Sequence, residues 1–121
     1  LFRSVPNTLG SDGDPVDALV LSDVAFQAGS VVKARLVGVL NMEDESGMDE
    51  KLLALPIDKI DPTHSYVKDI DDLSKHTLDK IKHFFETYKD LEPNKWVKVK
   101  GFENKEGAIK VLEKAIKAYQ G

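Results

Sequence analysis

The chain has 121 residues, a formal net charge of −4 and no cysteine, and 41% of its residues are hydrophobic while 31% are charged. This size and composition predict a single folded domain over residues 1–121, and the absence of cysteine excludes disulfides and thiolate metal sites. The negative charge disfavours a nucleic-acid partner, and the lack of an apolar run near the ~18 residues of a membrane span disfavours a membrane partner. The absence of cysteine is compatible with a cytoplasmic location.

The first half of the chain has the pattern of short strands. Residues 1–17 contain two prolines and two glycines, which predicts an irregular loop. Aliphatic and β-branched runs then predict three strands, Ala18–Leu21, Val31–Leu40 and Lys51–Leu55. We expect a turn at Gln27-Ala28-Gly29-Ser30 and an acidic loop over 41–50, so that the last two strands form a hairpin. Gly38 predicts a bulge or bend within the longer strand.

The second half changes to a helical period. Apolar residues from Leu73 to Tyr88 approximate one helical face, with Ser74 as the expected N-cap. Residues 96–100 alternate as a strand, in which we expect Trp96 to be a packing residue, and Asn104 is the expected cap of a last amphipathic helix. Strands followed by helices predict an α+β fold, namely a small OB-like β-barrel flanked by two helices.

Two acidic segments stand out against this background. The segment Asp12-Gly13-Asp14-Pro15-Val16-Asp17 places three carboxylates within six residues, on a backbone that Gly13 and Pro15 bend away from a regular helix. Asp44 and Asp49 flank the expected hairpin tip, and Lys51 points to the same face of the strand as Asp49. Either segment alone is typical of a solvated turn. Together they favour a shared metal site, because bound cations relieve the repulsion between crowded carboxylates.

The ligand chemistry narrows the choice of metal. Oxygen ligands favour the hard cations Mg²⁺, Mn²⁺ or Ca²⁺, whereas the three histidines lie far from the acidic segments in sequence and give little support for zinc or iron. A calcium EF-hand loop starting at Asp12 fails, because Val16 and Asp17 occupy its fifth and sixth positions, where an oxygen ligand and a glycine are required.

Further motifs make the pattern specific. The DGDPVD segment is followed by an apolar run, Asp44-Glu45 comes later, Asp49 precedes Lys51 by two residues, and the segment 83–91 reads HFFETYKDL. In this order and spacing the motifs resemble those of the family I soluble inorganic pyrophosphatases of the bacterial type, over about Val5 to the C-terminus. The resemblance implies a cytoplasmic magnesium enzyme that hydrolyses inorganic diphosphate to two phosphates. It also implies a homo-oligomer, which is a hexamer in intact relatives.

The resemblance implies roles for the matching residues. It makes Asp14 the catalytic residue, which orients the nucleophilic water and takes a proton from it, and Glu45 a weaker candidate beside the metals. Several Mg²⁺ ions, replaceable by Mn²⁺ or other divalent ions, are implied at Asp12, Asp17, Asp44 and Asp49. The phosphate oxygens are expected to contact Lys51, Tyr88 and Lys89.

The sequence departs from the family pattern at its start. Family members usually carry an N-terminal third with further strands, a glutamate metal ligand, and a lysine and an arginine on the phosphates. Because Leu1–Ser4 does not follow the pattern, we expect a truncated chain with an incomplete barrel and weak or lost activity. Two alternatives remain open, a non-catalytic module that binds divalent metals and an inactive fragment that self-associates through exposed strands.

Overall fold

The computed structural model describes residues 2–22, 27 and 29–121. Within these residues the chain forms five strands, two α-helices and two short 3₁₀ turns. The strands are β1 (Phe2–Ser4), β2 (Asp17–Val20), β3 (Ala34–Asp44), β4 (Gly47–Pro56) and β5 (Val97–Glu103). The helices are α1 (Lys75–Thr87) and α2 (Lys105–Gln120), and the 3₁₀ turns are Pro62–His64 and Ile70–Asp72.

The strands form one open sheet in the order β1-β2-β4-β3-β5. All neighbours are antiparallel except β2 and β4, which run parallel. The predicted hairpin is confirmed as β3–β4, but the expected loop over 41–50 is wrong. Pairing continues to Asp44 and Gly47, so Glu45 and Ser46 alone form the turn. The acidic residues therefore lie on paired strands, whose backbone fixes their positions.

A bulge lies at Gly38, as predicted, where the register of β3 against β4 shifts. A Cβ atom at this position would lie 2.9 Å from the Glu103 carbonyl oxygen and 2.9 Å from the Ile70 Cδ1 atom. The glycine therefore allows a close approach of β3 to β5 and to the second 3₁₀ turn.

Each face of the sheet is covered by one helix. Leu40, Met42 and Leu53 pack with Ile81 and Phe85 of α1. On the other face Ala18, Val39 and Leu52 pack with Ala108 and Ala115 of α2. Alternate strand residues thus serve two apolar clusters, and the sheet is the middle layer of three.

Both predicted helix caps are confirmed. Ser74 accepts a hydrogen bond from the Thr77 N–H, and Asn104 accepts one from the Gly107 N–H at 3.1 Å. These side chains satisfy N–H groups that have no partner within the helix.

The predicted α+β, OB-like fold with two flanking helices is confirmed, with an open sheet rather than a closed barrel. The expectation of an irregular loop from residue 1 to 17 is wrong for Phe2–Ser4, which pairs with β2. The prediction that Trp96 is a packing residue is also wrong, since 48% of this residue is exposed. In the predicted turn the Ser30 N–H donates to the Gln27 carbonyl at 3.1 Å, while Ala28 lies outside the described residues.

No helix among the described residues is both long enough and apolar enough to cross a membrane.

Candidate active site

The loop before β2 is held by hydrogen bonds of its own. The buried hydroxyl of Thr8 donates to the Val5 carbonyl at 2.6 Å and accepts from the Val16 N–H at 3.1 Å. The Gly10 N–H donates to the Asp14 carbonyl at 2.7 Å. Gly13, at φ 89°, occupies a region that favours glycine. The DGDPVD segment therefore has a defined bend.

This bend presents its three carboxylates differently. The Asp12 carboxylate accepts from the Asp14 N–H at 3.0 Å, which closes a local turn. Asp14 itself is exposed. Asp17 is the first residue of β2, and its carboxylate accepts a hydrogen bond from the Ser4 hydroxyl at 3.4 Å.

The second acidic segment is fixed by the β3–β4 hairpin. Asp44 ends β3 and is buried, and its carboxylate accepts from the Ser46 N–H at 2.8 Å. Asp49 and Lys51 lie two residues apart on β4 and are also buried. In the parallel ladder Asp17 is opposite Lys51, so the pairing of β2 with β4 brings the two acidic segments together.

Lys51 is the point at which these segments meet. Its Nζ atom lies 3.1 Å from the Asp17 Oδ2 atom and 3.1 Å from the Asp49 Oδ2 atom. Burial alone would lower the pKa of Lys51, but the charges and hydrogen bonds of Asp49 and Asp17 outweigh burial and raise this pKa. A permanent positive charge therefore stands between two carboxylates.

Asp49 is a buried carboxylate whose charged form is disfavoured. Burial raises the pKa of Asp49, and the negative charges of Asp12 and Asp44 raise it further, although Lys51 opposes both effects. Asp12 and Asp44 are therefore close enough to Asp49 for their charges to be felt. The carboxylates from both segments share one electrostatic environment.

Lys89 forms a second junction at the end of α1. Its Nζ atom lies 3.0 Å from the Asp44 Oδ2 atom and 3.2 Å from a Glu45 carboxylate oxygen. Although burial opposes it, hydrogen bonds from Lys89 and Ser46 lower the pKa of Asp44. Asp44 and Glu45 in turn raise the pKa of Lys89. The ion pairs of Lys89 therefore connect the hairpin tip to the end of α1.

Tyr88 caps the C-terminus of α1 beside Lys89. Its ring stacks on Phe84 with centroids 5.7 Å apart and meets the edge of Phe85 at the same centroid distance. The Lys89 Nζ atom lies 5.7 Å from the centre of the Tyr88 ring. Tyr88 is 39% exposed, so its position is fixed by aromatic packing while part of the ring faces solvent.

The structure thus brings Asp17, Asp49 and Lys51 into direct contact and joins Asp44 to Lys89. No three histidine, aspartate or glutamate side chains in the described part of the chain are gathered into a ready-made metal site. The carboxylates are instead paired with ammonium groups. Carboxylate oxygens are the ligands that a hard cation such as Mg²⁺ prefers. A carboxylate that pairs with a lysine ammonium group has the charge and the oxygen atoms to pair with such a cation instead.

Sequence reasoning missed two residues that organise this site. Ser4 binds Asp17 from β1, and buried Thr8 closes the loop that leads to β2. A three-residue strand carries no periodic signal that would have predicted Ser4. For Thr8 the clue was a threonine directly before a loop rich in glycine and proline, since such hydroxyls often bond to nearby backbone.

Comparisons with known proteins show the family of the chain. A family profile described as inorganic pyrophosphatase matches residues 2–120. An inorganic pyrophosphatase of Helicobacter pylori strain J99 is 99% identical over 120 residues, which are 99% of this chain and 69% of that protein. An inorganic pyrophosphatase from Campylobacter jejuni is 61% identical. The matched region is 98% of this chain and 69% of that protein.

Solved structures give the same result. A Helicobacter pylori inorganic pyrophosphatase structure has a TM-score of 0.97 and 96% identity, covering 99% of this chain and 71% of its own. The Thermus thermophilus inorganic pyrophosphatase has a TM-score of 0.94 at 41% identity, covering 99% and 69%. The sequence match and the shared fold both indicate a class of hydrolases. The chain belongs to the inorganic pyrophosphatase family, whose members are diphosphatases.

The family match corrects one expectation. The sequence motifs predict a resemblance that begins at about Val5, whereas the profile match begins at residue 2. The strand Phe2–Ser4 is paired in the sheet and is part of the family fold.

Proposed function

We propose that this chain hydrolyses inorganic diphosphate to two orthophosphates with the help of several Mg²⁺ ions, or of Mn²⁺ in their place. Family membership supports the reaction. The observation that carries the proposal for this chain is the position of Lys51, 3.1 Å from a carboxylate of each acidic segment. Carboxylates from two segments distant in sequence therefore lie at one point of the fold, as a joint metal site requires.

The proposed metal ligands are Asp12, Asp17, Asp44 and Asp49. The raised pKa of Asp49 supports this assignment, because burial and the neighbouring charges of Asp12 and Asp44 make its ionised form unfavourable without a cation. Magnesium keeps several water ligands, so single carboxylates from different elements suit it better than a closed cage. When bound, Mg²⁺ acidifies a water molecule and offsets negative charge on the phosphates.

The chain's own residues supply the remaining steps. Asp14 is proposed to take a proton from the attacking water, and its exposed carboxylate at a defined bend suits that task. The water oxygen bonds to one phosphorus while the bridging P–O bond breaks, and the second phosphate leaves with the bridging oxygen. Lys51, Tyr88 and Lys89 are proposed to bind phosphate oxygens, where lysine charge stabilises the displaced negative charge.

The proposal is tested by phosphate release from diphosphate in Mg²⁺. We expect Asp17→Asn and Asp49→Asn each to lower the rate on the order of 10²- to 10³-fold, as for other groups that stabilise transition-state charge. Asp79→Asn is the matched control, because Asp79 is exposed on α1. Undiminished hydrolysis by either site variant would refute the proposal. A chain that binds Ca²⁺ regardless of diphosphate and hydrolyses nothing would instead fit the non-catalytic metal module.

We also propose that the protein works in the cytoplasm as a homo-oligomer. The absence of cysteine is compatible with a reducing compartment. The edge strand β1 of the described sheet and exposed apolar side chains such as Val31 and Leu91 offer surfaces for association. Sedimentation velocity at several protein concentrations tests this, and a monomer at all of them would refute it.

A further inference from the structure

The two lysines assigned to phosphate binding are already engaged by carboxylates assigned to the metals. Lys51 donates to Asp17 and to Asp49, each at 3.1 Å. Lys89 lies 3.0 Å from Asp44 and 3.2 Å from Glu45. Both ammonium groups are largely withdrawn from water, with side chains 10% and 16% exposed. Binding the carboxylates and binding phosphate are therefore two competing roles of the same ammonium groups.

Both roles make use of the same atoms. An ammonium group has three N–H donors, and those of Lys51 that point to Asp17 and Asp49 are not available to a phosphate oxygen. A divalent cation at the same carboxylate oxygens would be repelled by an ammonium 3.1 Å away from them. Metal binding and the observed ion pairs of Lys51 therefore compete for the same carboxylates.

We propose that Lys51 and Lys89 are exchangeable internal counter-ions, which hold the metal-binding carboxylates in the metal-free chain and pass to the diphosphate once those carboxylates bind Mg²⁺. The inference rests on the proposed function, because it takes the metal ligands and the substrate from it. Its consequence is a coupling between the two ligands. Metal bound at the carboxylates frees the lysines for the anion, so metal and anion binding reinforce one another.

Lys51 is the stronger competitor of the two. It lies within the sheet on β4 and bridges carboxylates from both acidic segments, so a metal shared by these segments competes with it. Lys89 follows the C-terminal cap of α1, and its ion pairs with Asp44 and Glu45 both lie at the hairpin tip. The decisive measurements therefore concern Lys51.

The first test measures Mn²⁺ binding to the full chain by electron paramagnetic resonance, without any phosphate compound. Lys51→Met removes the charge and keeps most of the side chain, and we expect it to bind Mn²⁺ on the order of tenfold more tightly than the unchanged chain, because a competing charge is gone. Lys117→Met, on an exposed position of α2, is the matched control and should bind as the unchanged chain does. Equal or weaker binding by Lys51→Met would overturn the inference.

The second test uses the unchanged sequence, so that it does not depend on the folding of a variant. Lysines are labelled by brief reductive methylation and mapped by mass spectrometry, with EDTA, with Mg²⁺, and with Mg²⁺ plus methylenediphosphonate. Release from the carboxylates should raise the labelling rate of Lys51 about tenfold in Mg²⁺, as for a one-unit fall in pKa, and methylenediphosphonate should lower it again. Lys117 should label equally in all three conditions.

The outcomes separate this inference from the proposed function. If Mg²⁺ leaves the labelling of Lys51 unchanged while Asp17→Asn abolishes Mn²⁺ binding, the exchange is refuted and the metal site stands. If the unchanged chain binds no Mn²⁺, both the exchange and the proposed function are refuted.

Discussion

At the scale of single residues, the acidic group contains carboxylates with opposite responses to pH. Asp44 is stabilised in its charged form, because the hydrogen bonds of Lys89 and Ser46 outweigh burial and lower its pKa. Asp49 is destabilised in its charged form, because burial and the charges of Asp12 and Asp44 raise its pKa. The difference follows from position, since the Asp44 carboxylate accepts from the Ser46 N–H as well as from Lys89, while Asp49 is close to the charges of Asp12 and Asp44 and shares Lys51 with Asp17.

This contrast gives a prediction for Asp44→Asn in the absence of metal. A lowered carboxyl pKa contributes stability that is present above the unfolded pKa, near 3.8, and is lost as the pH falls through the folded value. We therefore expect the variant to be less stable at pH 7 by about 1.5–3 kcal/mol, the range for a hydrogen bond to a charged group. The loss should shrink as the pH falls below about 4.

Urea unfolding in EDTA at pH values from 3 to 7 measures the effect. Lys51→Met is not a suitable control here, because it changes the same group of charges. Asp79→Asn on the exposed face of α1 is suitable. A difference between Asp44→Asn and the unchanged chain that stays constant over this pH range would contradict the prediction.

A second residue-scale prediction concerns Gly38→Ala. The added Cβ atom would lie 2.9 Å from the Glu103 carbonyl oxygen, a backbone atom that cannot rotate away. The bulge would have to open against β5, so we expect a loss of about 1–3 kcal/mol, as for other overpacked core positions. Thermal and urea unfolding measure it. A change within about 0.5 kcal/mol would show that β3 and β5 can move apart freely.

At the scale of elements, sequence patterns correctly predicted those features that depend on interactions between residues close in sequence. Both helices were predicted with their caps, because Ser74 and Asn104 bond to N–H groups three residues away. Strand β1 was missed because its pairing depends on β2, and three residues show no alternation. The acidic residues themselves were predicted, but not the bridge of Lys51 between them, because it depends on the parallel register of β2 on β4.

Helix α1 offers a matched pair of aromatic residues for testing how the site is supported. Phe85 is fully buried in the cluster beneath the sheet, whereas its neighbour Phe84 is 47% exposed. We expect Phe85→Ala to lower the free energy of unfolding by about 3–5 kcal/mol, because it leaves a cavity in a packed core. Phe84→Ala should cost about 1 kcal/mol or less.

Urea unfolding of both variants measures this difference. Equal losses in the two variants would mean that the helix is not anchored through Phe85. Since Tyr88 contacts both rings, its position beside Lys89 depends on this packing. The core under α1 and the proposed phosphate-binding residues at its end are therefore one structural unit.

At the scale of the whole molecule, the site lies where three parts of the chain converge. Asp17 enters from β2, the hairpin supplies Asp44 and Asp49, and α1 ends at Lys89. The ion pairs between them join residues 34 and 45 positions apart in the sequence. Assembly of the site thus requires β2, the β3–β4 hairpin and the end of α1 together, and no single element could form it alone.

The β5 edge of the described sheet has exposed charged residues that disfavour pairing with another chain. Strand β5 is the last strand in the described sheet, and Lys98 and Lys100 are exposed along it. Lysine on an edge strand discourages pairing with another chain, because a charge would have to be desolvated there. Without these lysines the strand would present alternating β-branched residues and an unpaired backbone.

We therefore predict that the double variant Lys98→Thr, Lys100→Thr aggregates more readily, since threonine favours strands and removes the charges. The control is Lys110→Thr, Lys114→Thr on exposed positions of α2, which changes the net charge equally, from −4 to −6. That extra negative charge favours solubility in both variants, so charge alone cannot cause a difference. Light scattering at pH 7 over rising concentration measures association. If both variants scatter alike, the lysines of β5 do not prevent pairing at this edge, and its short length and the bulge between Val99 and Gly101 would have to suffice.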